Sequence, residues 1–305
     1  MSEKTVQLGS HTIEISKPDK LLYPEDKISK ADVVEYYRRV AEAMLPHLRQ
    51  YPLNMQRFPD GIDGVNFYEK AIPDYFPEWI DRVEVTVKES GEKQDQVVCN
   101  SVAILVYLAD QACLTPHTWL SRVDRLDRPD KLIFDLDPPG DDFELVRFAA
   151  GTLAKILDEV ELSSFLMTTG SRGLHVVVPL DGSVDFEAAR AFARDLASVL
   201  AEREPKRLTT EVRKNQRQGR LFLDYLRNAY GQTSVPPYAL RALPGAPVAA
   251  PLGWDELDDP DLDSQSYNLH NIFRRLGQKD DPWQDIRAHA VDLSAHRELL
   301  DQLMD

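Results

Sequence analysis

Two acidic residues close an apolar stretch near the middle of the sequence, in "LIFDLDPPGDD" at positions 132 to 142. Because side chains alternate between the two faces of a strand, Asp135 and Asp137 are predicted to project from one face. Like charges this close repel one another unless a cation or strong donors offset them. Carboxylate oxygens are hard ligands that suit Mg²⁺ or Mn²⁺, so the pair predicts a divalent-metal site. The alternative is that Pro138 and Pro139 end the strand and leave both acids in a solvated turn.

A third acid interrupts another apolar strand, in "GRLFLDYLRN", where Asp224 follows Leu-Phe-Leu. Two-metal phosphoryl transfer uses a carboxylate of this kind, because one ion lowers the pKa of an attacking hydroxyl while the other binds the leaving phosphate. Arg217, Arg220 and Arg227 flank the acid and are predicted to lie within reach of a triphosphate. Taken alone, Asp224 would also suit the surface of an edge strand.

The stretch "TTGSRGLHVVVPL" sets small hydroxyl residues, glycines, a cation and a histidine around one turn between two strands. Gly170 and Gly173 allow positive φ and a close backbone approach, by which a loop offers N–H groups to a phosphate. Thr169, Arg172 and His175 are therefore candidates for contact with an anion, although a lone histidine on a strand is often structural. No Gly-x-x-x-x-Gly-Lys motif occurs in the sequence.

Residues near the start of the chain have the types that bind nucleic acid. Lys20 and Lys30 bracket "LLYPEDKIS", and "VNFYEK" presents the adjacent aromatic residues Phe67 and Tyr68. Lysines that bind a terminal phosphate, together with aromatic rings that stack on bases, would form a plausible nucleic-acid surface.

The elements that must position these residues are mixed helices and strands. Ser29 and Asp32 resemble a helix start, and apolar residues then recur at helical spacing. The patterns predict helices at about 30–50, 101–112, 142–159 and 185–203 and in the tail from 266, and strands at 82–88, 132–137, 163–169, 174–180, 208–213 and 220–226. No linker is long enough to separate domains, so we expect one compact body of interleaved α and β elements.

Composition limits the classes of function. The 305 residues are 43% hydrophobic, and the net charge of −15 argues against a chain coated with phosphate-binding charge. Residues 206–220 nevertheless hold six cations and one acid, a local stripe that could dock a polyanion. The polar start and the short apolar run "VAILVYLA" predict a soluble, cytoplasmic protein without a membrane span. Cys99 and Cys113, fourteen residues apart, are predicted to be core thiols rather than a disulfide framework or a zinc site.

Taken together, "PDKLLYPEDKISK", "TPHTW", "FDLDPP", "TTGSRGLHVVVPL" and "GRLFLDYLRN" resemble the polymerase domain of bacterial DNA ligase D, a branch of the archaeo-eukaryotic primase superfamily. The similarity runs in one order from about residue 17 to about residue 290. It implies an α+β fold with the primase-type catalytic core, in which mixed β-sheets are flanked by helices, as a single compact domain over residues 1–305.

The resemblance also implies roles for residues that match the family's motifs. The family's metal-binding aspartates correspond to Asp135, Asp137 and Asp224, and its nucleotide-contacting residues to His117, Thr169, Arg172, His175, Arg217, Arg227, Thr233 and Arg241. The lysines that bind a 5′-phosphate correspond to Lys20 and Lys30, and the pair that stacks on the template corresponds to Phe67 and Tyr68. Three positions depart from common family residues. Relatives often have serine at the position of Thr169, and some have phenylalanine at the position of Tyr68 or lysine at the position of Gln56.

The activity that the resemblance implies is template-dependent nucleotide transfer. A primer 3′-hydroxyl would attack the α-phosphate of an NTP or dNTP with the help of two Mn²⁺ or Mg²⁺ ions. The family fills short gaps near a downstream 5′-phosphate, incorporates ribonucleotides readily, and works with Ku and a DNA ligase in end joining or excision repair. A bacterial, nucleoid-associated location follows from that role, and priming on a bare template is a further possibility within the superfamily.

Two other functions compete with the polymerase. "FDLD" at a strand end also resembles a haloacid-dehalogenase phosphatase, with Asp135 as nucleophile and Asp137 as acid/base, although prolines then stand where those enzymes have small residues. That reading leaves Asp224 without a role. The third hypothesis is a DNA-end binding module whose catalysis is vestigial.

Overall fold

The computed structural model describes residues 4–88 and 90–304. Residues 1–3, 89 and 305 belong to the predicted 1–305 domain and lie outside the described part. The strands are β1 Lys4–Leu8, β2 His11–Ile15, β3 Leu21–Tyr23, β4 Ile28–Ser29, β5 Leu53–Arg57, β6 Phe67–Glu69, β7 Arg82–Thr86, β8 Lys93–Val97, β9 Cys113–Trp119, β10 Lys131–Asp137, β11 Phe165–Thr168, β12 Leu174–Pro179, β13 Leu208–Thr209, β14 Leu221–Asp224, β15 Thr233–Ser234 and β16 Pro251–Leu252. The α-helices are α1 Lys30–Met44, α2 Val102–Asp110, α3 Phe143–Glu159, α4 Phe186–Arg203, α5 Ile272–Leu276 and α6 Arg297–Met304.

The chain divides into two compact units, neither of which is one continuous stretch of sequence. The first unit comprises Met1–Trp119, Thr233–Ala249 and Tyr267–Lys279, and the second comprises Leu120–Gln232, Ala250–Ser266 and Asp280–Asp305. The chain passes between the units several times, which agrees with the absence of a single long linker in the sequence.

The first unit contains a four-stranded antiparallel sheet in the order β15-β9-β5-β6. Three two-stranded ribbons, β1-β2, β3-β4 and β7-β8, accompany it. Helices α1 and α2 pack against each other, and α2 also packs against β9. Both cysteines are buried and free, so their prediction as core thiols is confirmed.

The start of α1 follows directly from the sequence. The Ser29 hydroxyl accepts a hydrogen bond from the Asp32 N–H at 3.2 Å, and the Asp32 carboxylate accepts one from the Ser29 N–H at 2.8 Å. The apolar residues Val33, Tyr37, Val40 and Met44, which recur at helical spacing, are buried. The helix ends at Met44 and not near residue 50, and a 3₁₀ turn with a proline follows it.

The second unit is built on a six-stranded sheet in the order β13-β14-β10-β12-β11-β16. Its pairs are antiparallel except for β13 with β14, which run parallel. Helices α3 and α4 pack against β10, and every residue of β12 is buried. The sheet and its covering helices give β10 a rigid setting at the centre of this unit.

The structure shortens several predicted elements. The strands predicted at 208–213 and 220–226 are confined to β13 and β14. A 3₁₀ turn at Lys214–Gln216 and positive φ at Gln218 and Gly219 interrupt the extended chain in the connection between these two parallel strands. The tail from 266, predicted as helical, forms α5 and α6 with 3₁₀ turns between them. Within the described residues, no helix is long and apolar enough to cross a membrane.

Candidate active site

Strand β10 presents the first two carboxylates as the sequence predicts. The strand continues through Asp137, so both acids lie within it and not in a turn that follows it. Phe134 and Leu136 are fully buried on the opposite face of the strand. Asp135 is also buried, at 6% exposure, whereas the Asp137 side chain is 44% exposed. The same face of β10 therefore carries one buried and one accessible carboxylate.

Asp224 lies directly across from Asp135 in the sheet. The register of β10 with β14 pairs these two residues, and directly paired residues of antiparallel strands project from the same face. Strand β14 lies between β13 and β10, so Asp224 is not on an edge strand. The second unit thus places Asp135, Asp137 and Asp224 on one face of two neighbouring strands.

A histidine extends this row on the other side of β10. His175 pairs with Asp135 across β10 and β12, and its Nε2 lies 3.5 Å from Asp135 Oδ1. The ring is 4% exposed. Within the described residues, His175 Nδ1 is buried and has no hydrogen-bond partner. One imidazole nitrogen therefore faces a carboxylate while the other is left for a ligand or water.

Two arginines accompany the carboxylates. Arg227 Nε donates to Asp135 Oδ2 at 2.6 Å and lies 3.7 Å from Asp224 Oδ2. Arg172 donates to Asp137 Oδ2 at 3.3 Å, and both arginine side chains are substantially exposed. Guanidinium groups that already contact carboxylates at an open face are placed to contact an anion there as well.

The pKa shifts of the three aspartates reflect burial and the charges that surround them on this face. Burial raises the pKa of Asp135, but contacts with His175 and Arg227 bring it below its usual value. Burial raises the pKa of Asp137, and the charge of Asp135 raises it further. Burial also raises the pKa of Asp224, with a contribution from Asp135 that Arg227 opposes. Two of the three carboxylates are thus costly to ionise, as expected where a cation is to bind.

The donor set suits a hard divalent cation, since all three side chains offer carboxylate oxygens. Among the residues that the structure describes, however, no group of three or more His, Cys, Asp or Glu side chains is arranged so that it could hold a metal ion. In the structure, Arg227 contacts one oxygen of Asp135 and Arg172 contacts one oxygen of Asp137. The chemistry of the residues fits a metal, and the arginines would have to share or release these oxygens.

The glycine turn between β11 and β12 is built for close approach to β10. Gly170 has φ +63°, which a glycine adopts without strain. A Cβ on Gly173 would lie 2.0 Å from the carbonyl oxygen of Leu136, so only glycine fits there. The Thr169 hydroxyl accepts hydrogen bonds from the N–H groups of Ser171 and Gly173. In the structure the Thr169 hydroxyl therefore holds the turn together, and its contact with a nucleotide stays a prediction.

Residues that sequence reasoning missed also support this face. Ser264 donates to the Gly173 carbonyl at 2.8 Å from a distant part of the chain. The Asn228 side chain is buried and bonds both the N–H and the C=O of Ile133 in β10, each at 2.8 Å. A polar residue after a strand gives no sequence signal for such a role, because the partner strand lies almost a hundred residues away.

The basic stretch 206–220 is held largely by its own backbone. Arg217 stacks on the ring of Phe222 at 4.0 Å and donates to the carbonyls of Glu211 and Val212. Arg220 donates to the Arg217 carbonyl at 2.9 Å. Phe222, on which Arg217 stacks, pairs with Asp137 across the sheet, and the triphosphate contact of Arg217 stays a prediction.

The remaining predicted residues lie in the first unit. His117 lies on β9, and its Nε2 atom is 3.5 Å from Gln56 Oε1. The centres of the His117 and Tyr68 rings are 5.6 Å apart. Phe67 and Tyr68 form β6 and are both exposed. Thr233 lies on β15, opposite Trp119 of β9. The backbone carbonyl of Arg241 accepts a hydrogen bond from the Tyr23 hydroxyl at 2.9 Å.

The two lysines predicted to bind a 5′-phosphate have different environments. Lys20 Nζ is partly exposed and forms an ion pair with Asp60 at 2.7 Å. Lys30 is 7% exposed, and its Nζ donates to Ser16 Oγ and to the Asp110 carbonyl, each at 2.9 Å. Burial lowers the pKa of Lys30, and Asp110 opposes that effect. Lys20 Nζ is therefore accessible in the structure, whereas Lys30 Nζ is buried, with the Asp110 carboxylate 3.4 Å away. The 5′-phosphate contact of both lysines stays a prediction.

Comparisons with known proteins identify the family that this chain resembles. A family model described as "LigD, primase-polymerase domain" matches residues 29–283. The multifunctional non-homologous end joining protein LigD of Mycolicibacterium smegmatis is 34% identical over 273 residues, which cover 88% of this chain and 35% of that protein. The protein of the same name from Pseudomonas aeruginosa is 32% identical over 286 residues, which cover 93% of this chain and 34% of that protein. The chain thus spans about a third of the length of these curated relatives.

A solved structure matches over nearly its whole length. The polymerase domain of ligase D from Mycobacterium tuberculosis, determined in complex with DNA, has a TM-score of 0.84 and 30% identity. The match covers 91% of this chain and 99% of that one. It confirms the predicted fold class of mixed sheets flanked by helices, and with the family match it confirms the resemblance drawn from the sequence motifs.

Proposed function

The chain belongs to the LigD primase-polymerase family, a family of polymerase-type nucleotidyltransferases in DNA repair, and on that premise we propose that it is a template-dependent polymerase that fills short gaps. The observation that carries the proposal is the row of carboxylates on β10 and β14, with Asp135 and Asp224 paired in register. This arrangement disfavours the phosphatase alternative, which has no use for Asp224.

Asp135, Asp137 and Asp224 would hold two Mg²⁺ or Mn²⁺ ions. When bound, the ions would supply charge to lower the pKa of a primer hydroxyl and to neutralise a leaving pyrophosphate. The raised pKa values of Asp137 and Asp224 support this assignment, because a bound cation would relieve the cost of ionising them.

The arginines and the histidine of the same face would bind the nucleotide. Arg172 and Arg227 already contact the carboxylates, and their exposed guanidinium groups can bind phosphate oxygens of an NTP or dNTP. His175 Nδ1 offers a further polar contact from the buried side. Thr169 would act by keeping the turn in place, through its hydrogen bonds to the N–H groups of Ser171 and Gly173.

The first unit would bind DNA. Lys20 is the better placed of the two lysines to contact a downstream 5′-phosphate, because its Nζ is accessible. Phe67 and Tyr68 expose aromatic rings on which template bases can stack. We assign His117, Arg217, Thr233 and Arg241 to nucleotide binding by family resemblance. Ready use of ribonucleotides and partnership with Ku and a DNA ligase in end joining complete the proposal.

Extension of a labelled primer across a one-nucleotide gap with a 5′-phosphate tests this function. The reaction contains Mn²⁺ and either UTP or dTTP, and compares the wild type with Asp135→Ala, Lys20→Ala and the surface control Asp261→Asn. We expect incorporation by the wild type and the control, none by Asp135→Ala, and weaker incorporation by Lys20→Ala only when the 5′-phosphate is present. A wild type that binds the gapped DNA but extends no primer with any divalent ion would favour the end-binding alternative.

A further inference from the structure

The exposed apolar side chains of the first unit are concentrated in one short segment. Of the seven large hydrophobic side chains exposed within residues 4–88 and 90–304, four are Val65, Phe67, Tyr68 and Tyr75. Scattered exposed apolar residues are ordinary, but a group of this kind with three aromatic rings marks a binding surface. Phe67 and Tyr68 are already assigned above, whereas Tyr75 lies outside every motif.

Tyr75 is fixed in position although its side chain is 60% exposed. Its hydroxyl accepts a hydrogen bond from Arg57 at 2.7 Å. Its ring packs edge-on against Phe76, with centroids 5.2 Å apart, and Phe76 is itself buried against Tyr107. An aromatic ring held at its edge and its hydroxyl, with most of its surface in solvent, loses little conformational entropy when a ligand stacks on it.

Arg57 connects Tyr75 to the strand that carries the other two rings. It is 9% exposed, and the guanidinium group that holds Tyr75 also forms an ion pair with Glu69 of β6. Arg57 pairs with Phe67 across β5 and β6, and its guanidinium carbon lies 5.6 Å from the centre of the Phe67 ring. One buried arginine therefore sets the position of Tyr75 relative to the exposed aromatic strand.

We propose that Tyr75 is a further stacking platform for unpaired DNA bases, beside Phe67 on the face of β6 that Arg57 contacts. The inference rests on the proposed function, which makes single-stranded template or overhang the ligand of this surface. Every base has a π-face, so exposed aromatic rings bind a single strand without selecting its sequence. The solved relative was determined in complex with DNA, which favours nucleic acid as the occupant.

The test measures binding by fluorescence anisotropy of labelled duplexes that carry a 5′-phosphate. One duplex is blunt, one has a single-stranded extension, and one has the same extension made of abasic nucleotides. The proteins are the wild type, Tyr75→Ala, Tyr75→Phe and Met304→Ala, the last an exposed apolar residue of the second unit. Thermal unfolding verifies that each variant is folded.

We expect Tyr75→Ala to weaken binding of the extended duplex about tenfold and to leave binding of the blunt and abasic duplexes unchanged. Tyr75→Phe keeps the ring but loses the hydrogen bond to Arg57, so it should bind the extended duplex only a few-fold more weakly. Met304→Ala should match the wild type on all three duplexes.

Equal binding of the extended duplex by Tyr75→Ala and the wild type would overturn the inference, and so would an equal loss on the abasic duplex. If the wild type extends primers and Tyr75→Ala binds normally, only the role of Tyr75 fails. If the wild type neither binds nor extends DNA, the proposed function fails and the inference fails with it.

Discussion

Replacement of Asp224 with asparagine is expected to stabilise the protein at neutral pH while it abolishes nucleotide incorporation. The Asp224 Oδ1 atom accepts a hydrogen bond from the Leu226 N–H at 2.9 Å, and an amide oxygen can accept the same bond. The substitution therefore removes a charge with little change in shape. Burial and the charge of Asp135 raise the pKa of Asp224, so the ionised side chain lowers the stability of the fold at neutral pH.

The magnitude follows from the arrangement around Arg227, whose Nε lies 2.6 Å from one Asp135 oxygen and 3.7 Å from one Asp224 oxygen. Two like charges roughly 6 Å apart repel by about 1–3 kcal/mol at an effective dielectric constant of about 20–40. The lost attraction between Asp224 and Arg227 offsets much of that gain. We expect the free energy of unfolding to rise by roughly 0.5–1 kcal/mol.

The gain has a defined pH dependence. Because the folded-state pKa of Asp224 lies above its ordinary value of 3.8, the folded protein binds more protons than the unfolded chain between these two pKa values. The wild type therefore loses stability relative to Asp224→Asn as the pH rises through that window. The advantage of the variant should be complete at neutral pH and should vanish below about pH 4.

Urea unfolding of the wild type, Asp224→Asn and Asp261→Asn over a series of pH values, with a chelator present, measures this effect. Asp261 is exposed and accepts no comparable hydrogen bond in the described residues, so its variant should unfold like the wild type. Primer extension on gapped DNA should fall at least a hundredfold for Asp224→Asn alone. An Asp224→Asn protein that is less stable than the wild type at neutral pH, or equally altered at every pH, would refute the reasoning.

Other substitutions test the positions that hold the site. Gly173→Ala forces a Cβ to 2.0 Å from a β10 carbonyl and should cost about 3 kcal/mol or more in urea unfolding, whereas Gly140→Ala, with open space around its Cβ, should be neutral. Asn228→Ala leaves two buried backbone groups of β10 without their side-chain partner and should cost about 2–4 kcal/mol; an unchanged urea midpoint would contradict this. Lys30→Met should lower the free energy of unfolding by about 2–4 kcal/mol, because it removes the cation beside the buried Asp110 carboxylate. Lys20→Met should leave the urea midpoint unchanged and weaken only binding to 5′-phosphorylated DNA.

Local chemistry allowed the sequence to predict the elements that frame the site. Ser29 with Asp32 identified the start of α1, because a capping box involves only neighbouring residues. Alternation along β10 placed Asp135 and Asp137 on one face, because strand periodicity is fixed by the backbone. Asp224 stood out as an acid that interrupts an apolar strand, and the structure shows that it pairs with Asp135.

Long-range partners could not be read from the sequence. The burial of Lys30 depends on Asp110, which is eighty residues away along the chain. The Thr169 turn is completed by Ser264, ninety-five residues away. The fixed position of Tyr75 depends on Arg57, which lies on β5, eighteen residues away. None of these pairs has a spacing that a strand or helix period predicts, so each required the folded structure.

Binding of Mn²⁺ by the protein tests the central claim that the carboxylates of β10 and β14 form a metal site. Electron paramagnetic resonance of free Mn²⁺, measured with and without a nucleoside triphosphate, compares the wild type, Asp135→Asn, Asp224→Asn and Asp261→Asn. The account predicts Mn²⁺ bound by the wild type and by Asp261→Asn, tighter in the presence of nucleotide, and lost in the other two variants. Equal Mn²⁺ binding by Asp135→Asn and the wild type would contradict it.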